Sequence, residues 1–291
     1  GSFVGELADI AKPIVAFNFD DGLAEDSLAY SLFKEFGYPA SFGLIADQVY
    51  NANKNPLLNY KNYEKDGFEV LSHSSSHIYF NTDNTDPVNY HELTASAEKL
   101  RTLGFSTNGL IVPYSTITAN NLSYAKTIYD YILIGGSGLN GKNGFKNKTI
   151  TRVSAIGSGV AGCKSLIDQA IADRQLLVFY DHGMGREGSF TETEWREVLT
   201  YLQTKMSNNL IEVHNVKNAI SKYYGIKTTN LSKQLNDYNQ APSAASASWV
   251  FENNTAAATK FEDVNSANET LRVMVPSGAA IGSGFSLSNT I

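Results

Sequence analysis

The sequence predicts an α/β protein built on a parallel sheet, either closed as a barrel or open and doubly wound. Three observations lead there. Short apolar runs of strand length alternate with helix-spaced segments over roughly the first 225 residues, the pattern of successive βα units. Helix candidates stop at Gly37 and Gly104, where a left-handed residue closes a helix. Near residue 226 the composition changes to Thr, Asn, Ser, Gln and Ala, so the alternation ends at a boundary. Periodicity alone does not choose between barrel and open sheet.

Taken in order, residues 13–19 read as a buried strand and 23–36 as a helix with Leu28, Leu32, Phe33 and Phe36 on its apolar face. Residues 40–46 are a second strand, 60–66 a short helix and 68–71 a third strand. Residues 92–103 place Leu93, Ala97, Leu100 and Leu103 on one helical face, and 108–112 form the next strand. A helix over 122–129 precedes a strand over 131–134. Residues 165–173 are helical and 175–180 are a strongly apolar strand. Trp195, Leu199 and Leu202 mark a helix over 192–206, followed by a strand over 210–213 and a helix over 216–224. This divides the chain into a domain at 1–226, a linker at 227–247 and a partial β-rich module at 248–291. In the module, residues 248–252 and 271–275 read as strands, and Phe285 and Leu287 alternate with serines.

Composition excludes several classes. At 291 residues there is room for one large domain and a small module. Hydrophobic residues at 42% and charged residues at 18% argue against disorder and coiled coil. A net charge of −6, with no long basic stretch, argues against a nucleic-acid partner. The single cysteine, Cys163, forms neither an internal disulfide nor a cysteine metal cluster. No apolar run reaches the roughly 18 residues of a membrane span. Gly1-Ser2 reads as the remnant of a cleaved tag, so no targeting signal is legible.

Three segments carry candidate chemistry. Asn18-Phe19-Asp20-Asp21-Gly22 closes the first strand, at the strand end where parallel folds gather their active sites. Alone, it serves equally as an acidic turn capping the next helix. His73-Ser74-Ser75-Ser76-His77 follows the third strand. Two imidazoles four residues apart, with one carboxylate, make a three-ligand metal set. Ser74 in place of Glu separates it from the HExxH motif. Tyr180-Asp181-His182-Gly183 sets a histidine just past a buried strand, a position suited to a general acid or base. His91 and His214 read as structural.

Together and in this order the segments resemble the polysaccharide deacetylases of the NodB-homology group, carbohydrate esterase family 4. That family's first motif is Thr-Phe-Asp-Asp-Gly, and its second, His-(Ser/Thr)-x-x-His, is matched by His73 to His77. Tyr38-Pro39-Ala40-Ser41-Phe42, the strand before His73, the helix at 92–104 and the strand at 177–182 are also similar, so the resemblance covers residues 12–224. It implies a deformed (β/α) barrel, followed here by the small β-rich segment, with a divalent metal, zinc first, in an open groove. Carried over by position, Asp21, His73 and His77 bind the metal. Asp20 is the general base, His182 the general acid, and the backbone N–H of Tyr114 stabilises the oxyanion. The implied partner is an acetylated polysaccharide, N- or O-linked, which some of the 16 tyrosines would stack on.

Two departures stand out. Ile111-Val112-Pro113-Tyr114 replaces the family's Arg-x-Pro-Tyr, removing the arginine that pairs with the base. The fourth motif, whose Asp tunes the catalytic histidine, has no match over 131–153. Arg152 is a candidate for the missing charge. An alternative reading is therefore a catalytically weak or inactive carbohydrate-binding or adhesin domain of a modular surface or phage tail protein. Both readings place the chain outside the cell or on a cell or virion surface, with the C-terminal β module available for assembly.

Overall fold

The alternation of strands and helices is present in the structure, a computed structural model that describes residues 12–145, 147–226, 248–252, 261–263, 271–273 and 286–290. In chain order the first elements are β1 (Ile14–Phe19), α1 (Asp26–Phe36), β2 (Ser41–Leu44), α2 (Leu57–Lys65), β3 (Glu69–Ser72), α3 (Asp86–Asn89), α4 (Ser96–Thr102), β4 (Gly109–Ile111) and α5 (Ala119–Ala125). They are followed by β5 (Tyr131–Gly135), β6 (Leu139–Asn140), β7 (Thr149–Ser154), α6 (Ala155–Asp173), β8 (Leu176–Asp181), α7 (Glu192–Ser207), β9 (Glu212–Val213) and α8 (Val216–Tyr224).

Seven strands close into a parallel ring in the order β1-β2-β3-β4-β5-β7-β8, with β8 returning to β1. The fold is thus a barrel, surrounded by helices. Its deformation has a simple description. β1 pairs with β8 along its whole length, from Ile14↔Leu176 to Phe19↔Asp181. Its other edge is shared, with β9 beside Ile14 and Val15 and β2 beside Asn18 and Phe19. The far edge of β8 is divided likewise, between antiparallel β6 at Leu176 and Leu177 and parallel β7 at Phe179 and Tyr180. The barrel is splayed at its N-terminal end, and two short strands fill the seams.

Alternation assigns the two faces. Ile14, Ala16, Leu71, Ile111, Tyr131, Leu133, Ile150, Leu176 and Val178 form the interior, in one cluster with Val216, Ala219, Ile220 and Tyr223 of α8. The last helix therefore stops the splayed end. Glu69 anchors it: the buried carboxylate accepts from Ser41 Oγ at 2.8 Å, from the Lys217 backbone N–H at 3.0 Å and from the Tyr131 hydroxyl. The opposite parity, including Val15, Phe17 and Phe19, packs outward on α1, α2, α6 and α7. There Trp195 meets Phe17, Phe19 and Phe33 edge to face, with centroids 5.5–5.7 Å apart.

Some elements differ from the sequence reading. β6 and β7 were not expected: β6 is two residues long, and in β7 charged Arg152 interrupts the interior face after Ile150 while Thr149, Thr151 and Val153 mix polar and apolar outside. α6 begins at Ala155 rather than residue 165, with a break at Gly159 (φ 68°, ψ 168°) in a glycine-rich stretch of weak helix propensity. The helix expected over 92–103 begins as α3 and passes through a π-helical stretch, Tyr90–Ala95, before α4. Leu28 is half exposed; Ala29, Leu32 and Phe33 make the buried face of α1.

The chain divides into two compact units, Gly1–Asn230 and Leu231–Ile291. The linker assigned to 227–247 lies outside the described residues. In the second unit β10 (Ser248–Glu252) pairs antiparallel with β13 (Ser286–Thr290), and β11 (Phe261–Asp263) with β12 (Leu271–Val273).

Glu64, at the end of α2, provides a pH test of this packing. Burial pushes its carboxyl up from 4.5 to about 7, against partial relief from Lys61 and the Ser106 backbone. A raised folded-state pKa contributes fully below about pH 4.5 and is lost as pH rises through about 7. Glu64→Gln should therefore raise stability by about 1–2 kcal/mol above that range, allowing for partial exposure, and change little below pH 4.5. Urea midpoints on both sides of the window check this; a gain that is equal at both would contradict it.

Candidate active site

The interior parity of β1 continues past the strand, so Asn18 and Asp20 follow Ile14 and Ala16 towards the barrel mouth. The Asp20 N–H donates to Asp181 O at 2.9 Å, extending the β1–β8 pairing by one residue. The backbone then leaves the strand through two left-handed residues, Asp21 (φ 77°) and Gly22 (φ 64°). That conformation costs a non-glycine residue about 1–2 kcal/mol. It breaks the alternation, so that adjacent carboxylates serve one mouth. From outside, Asn55 N–H donates to Gly22 O at 3.3 Å and Lys54 Nζ to Asp21 O at 3.0 Å.

His73 directly follows β3 at the same level, its N–H donating to Leu44 O at 2.9 Å. The chain folds back through left-handed Ser74 and His77 (φ 61° and 66°). The His77 N–H donates to Ser74 Oγ at 2.9 Å. Glu92, from the π-helical stretch, holds this turn by accepting from Ser76 N at 3.0 Å and Ser76 Oγ at 2.6 Å.

Asp21, His73 and His77 converge. Both Nε2 atoms lie 3.3 Å from Asp21 Oδ1, and the three ligand atoms are within 4.8 Å of one another. His73 Nδ1 is 2.9 Å from Ile111 O. A carbonyl only accepts, so Nδ1 carries the hydrogen and, in the neutral ring, Nε2 presents a lone pair. That lone pair faces Asp21 Oδ1, which is buried and lacks a hydrogen-bond partner among the described residues. Facing acceptors repel unless a cation lies between them, so the donor set fits a divalent metal. Burial pushes the Asp21 carboxyl up, and positive charge at the two imidazoles outweighs it and holds the carboxyl well below the usual carboxylate range; with neutral rings, a cation between the three groups would supply that charge.

Asp20 has its own partner. Arg152 Nη1 lies 2.7 Å from Oδ1 and 2.6 Å from Oδ2, both side chains being almost fully buried. Asn18 Nδ2 donates to Oδ1 at 2.7 Å. The charge absent from position 111 is thus supplied from β7. Arg152 also reaches Val112 O and Ser115 Oγ, at 3.4 Å each, beside the end of β4. Ile111 instead fills the interior, its Cδ1 lying 2.7 Å from where a Cβ on Gly43 would stand.

His182 follows β8 beside the end of β1. Its N–H donates to Asp181 Oδ1 at 2.9 Å, while Oδ2 accepts from Phe190 N at 3.0 Å and Trp195 Nε1 at 3.1 Å. Asp181 therefore ties the loop bearing His182 to the core. Tyr180 lies with its ring 4.3 Å from the Arg152 guanidinium and 6.1 Å from the His182 ring. Among the described residues, no hydrogen bond reaches the His182 imidazole. Tyr114 follows β4 in a left-handed conformation (φ 54°), its ring 4.8 Å from that of His77. The structure thus brings Asp21, His73 and His77 into contact and packs Tyr114 on them. Asp20 is fixed beside them by Arg152, whereas no hydrogen bond or ring contact among the described residues joins His182 to the other five. Asn18, Glu92 and Asp181 were not anticipated; Asn18 and Asp181 lie inside the motifs, and Glu92 had no signal.

The barrel gathers carboxylates and histidines at its C-terminal mouth, and similarity to known proteins gives the class of protein. Residues 8–129 match the family model of the polysaccharide deacetylases. This match supports a NodB-homology domain of carbohydrate esterase family 4, a family of hydrolases acting on the acetyl groups of carbohydrates. No curated protein matches by sequence. Among solved structures, the carbohydrate esterase domain of a multidomain xylanase from the hindgut metagenome of Trinervitermes trinervoides superposes with a TM-score of 0.50 at 16% identity, covering 75% of this chain and 93% of its own. A family 4 acetyl xylan esterase from Clostridium thermocellum, described with a cobalt ion, gives 0.53 at 12% identity, covering 75% and 95%. A mutant of a family 4 pseudoenzyme with restored activity gives 0.51 at 14% identity, covering 72% and 68%. These likenesses are of fold.

Breaking the buried ion pair should be costly. Arg152→Met leaves Asp20 buried without its partner and should lower stability by about 3–5 kcal/mol in urea unfolding. Adding Asp20→Asn should recover part of that loss, and strictly additive single and double variants would contradict a direct pair.

Proposed function

We propose that this chain is a metal-dependent deacetylase that hydrolyses acetyl groups from an N- or O-acetylated polysaccharide. The observation that carries the proposal is the convergence of His73 Nε2 and His77 Nε2 on the unpartnered Asp21 Oδ1, next to a carboxylate held by Arg152. Asp21, His73 and His77 would hold the metal, and two imidazoles with one carboxylate favour zinc. The metal would lower the pKa of a water and polarise the acetyl carbonyl.

Asp20 is the general base. Two contacts from Arg152 and one from Asn18 fix its carboxylate where it can accept a proton from the attacking water. The Tyr114 backbone N–H serves the developing oxyanion, its left-handed geometry being set between Pro113 and Ser115. His182 protonates the leaving amine or alcohol, with Asp181 fixing its backbone.

One observation favours a second reading, a carbohydrate-binding domain without turnover. The His182 imidazole has no hydrogen-bond partner among the described residues, its nearest ring being Tyr180 at 6.1 Å. A single comparison separates the two. Acetate release from a small activated acetate ester and from N-acetylglucosamine oligomers should require zinc and stop with chelator. Asp20→Asn should lower release at least about 100-fold while zinc binding, followed by calorimetry, persists. Zinc binding without release by the parent from any acetylated glycan would favour the silent domain.

A further inference from the structure

At the rim of the metal triad two exposed aromatic rings lie against each other. Tyr79 and Tyr114 are 48% and 60% exposed, with centroids 5.1 Å apart. Among the exposed large apolar side chains described, they alone pair ring to ring. Neither hydroxyl bonds to a described residue. Tyr114 in turn stands on His77, so the two rings continue outward from a triad imidazole.

The pair is built on a fixed base. Phe80, next to Tyr79, is fully buried. Its backbone bridges to Ile117, and its carbonyl accepts from Thr118 N at 3.0 Å. This laces the loop after β3 to the loop after β4, so each ring stands on a strapped segment. Both Tyr114 and Ser115 are left-handed, at φ 54° and 61°. Strain of this kind persists where surrounding structure holds it, commonly at ligand sites. Ser115 is accommodated because position 135 is glycine; a Cβ there would lie 2.7 Å from Ser115 Cβ.

We propose that Tyr79 and Tyr114 form a stacking platform for a sugar next to the one that reacts, making the site selective for chains over single sugars. The proposal rests on the deacetylase reading for the kind of ligand it meets. Aromatic faces carry negative potential and attract weakly positive C–H groups. An all-equatorial pyranose, such as a xylose or N-acetylglucosamine unit, gathers axial C–H groups on each face and fits a flat ring. Its equatorial hydroxyls remain at the edge, within reach of the two free tyrosine hydroxyls.

The test is electrophoretic retardation of the full chain in gels containing soluble acetylated xylan or partially N-acetylated chitosan. The parent should be retarded by at least one. Tyr79→Ala, with the parent's thermal midpoint, should bind about tenfold more weakly. Tyr79→Trp, which keeps an aromatic face, should restore retardation. Equal retardation of parent and Tyr79→Ala overturns the platform, as does a parent retarded by neither polysaccharide. Acetate release with zinc is measured on the same two polymers. Release without dependence of binding on Tyr79 removes the platform and keeps the enzyme, whereas Tyr79-dependent retardation without release keeps the platform and removes the reaction. The polymer preferred separates an ester-linked from an amide-linked acetyl.

Discussion

The pairing of β1 with β8 is the contact on which the site depends. It closes the ring, and it sets the end of the strand bearing Asp20 beside the end of the strand bearing His182. Inward parity then brings Asn18 and Asp20, His73, Arg152 and Tyr180 to the mouth above an apolar filling. The same alternation that buries Ile14, Ala16 and Val178 presents the polar residues one level higher. The core and the site are therefore one construction read at two heights.

Burying an arginine and an aspartate at that level is expensive in desolvation, and attraction between them offsets the cost only when the remaining polar atoms are well satisfied. Here they are not all satisfied. Arg152 Nε and Asn18 Oδ1 are buried without partners among the described residues. A filler of apolar residues would suit the barrel better as packing. The pair makes sense as a means of holding the Asp20 side chain in place beside the triad. The left-handed residues Asp21, Ser74, His77 and Tyr114 belong to the same pattern, with backbone strain concentrated at the mouth.

Much of the fold was legible in the sequence, because most barrel strands are apolar on both faces and most helices carry a clear stripe. β7 was not, since charged Arg152 follows Ile150 on its interior face and Val153 follows Thr149 and Thr151 on its outer one, so neither a continuous apolar run nor an apolar–polar alternation appears. The start of α6 was hidden by its glycines. Within the site, the two histidines and the adjacent aspartates stood out because sequence neighbours are also spatial neighbours there. The Arg152–Asp20 contact spans 132 residues, and no local pattern encodes a pairing across that distance. Glu92 was obscure for another reason: the π-helical stretch that aims it at Ser76 leaves no mark in helical periodicity.

The splayed end of the barrel has a consequence for the order of assembly. β1 waits for β8, β9 and the stopper α8, which lie at the far end of the domain in sequence. During synthesis, Asp21, His73 and His77 leave the ribosome well before Arg152 and His182. The candidate triad is thus translated ahead of the strands that enclose it. Closure is a late event with long loops to draw together, which favours slow folding and a period of exposed strand edges that cellular chaperones would have to cover.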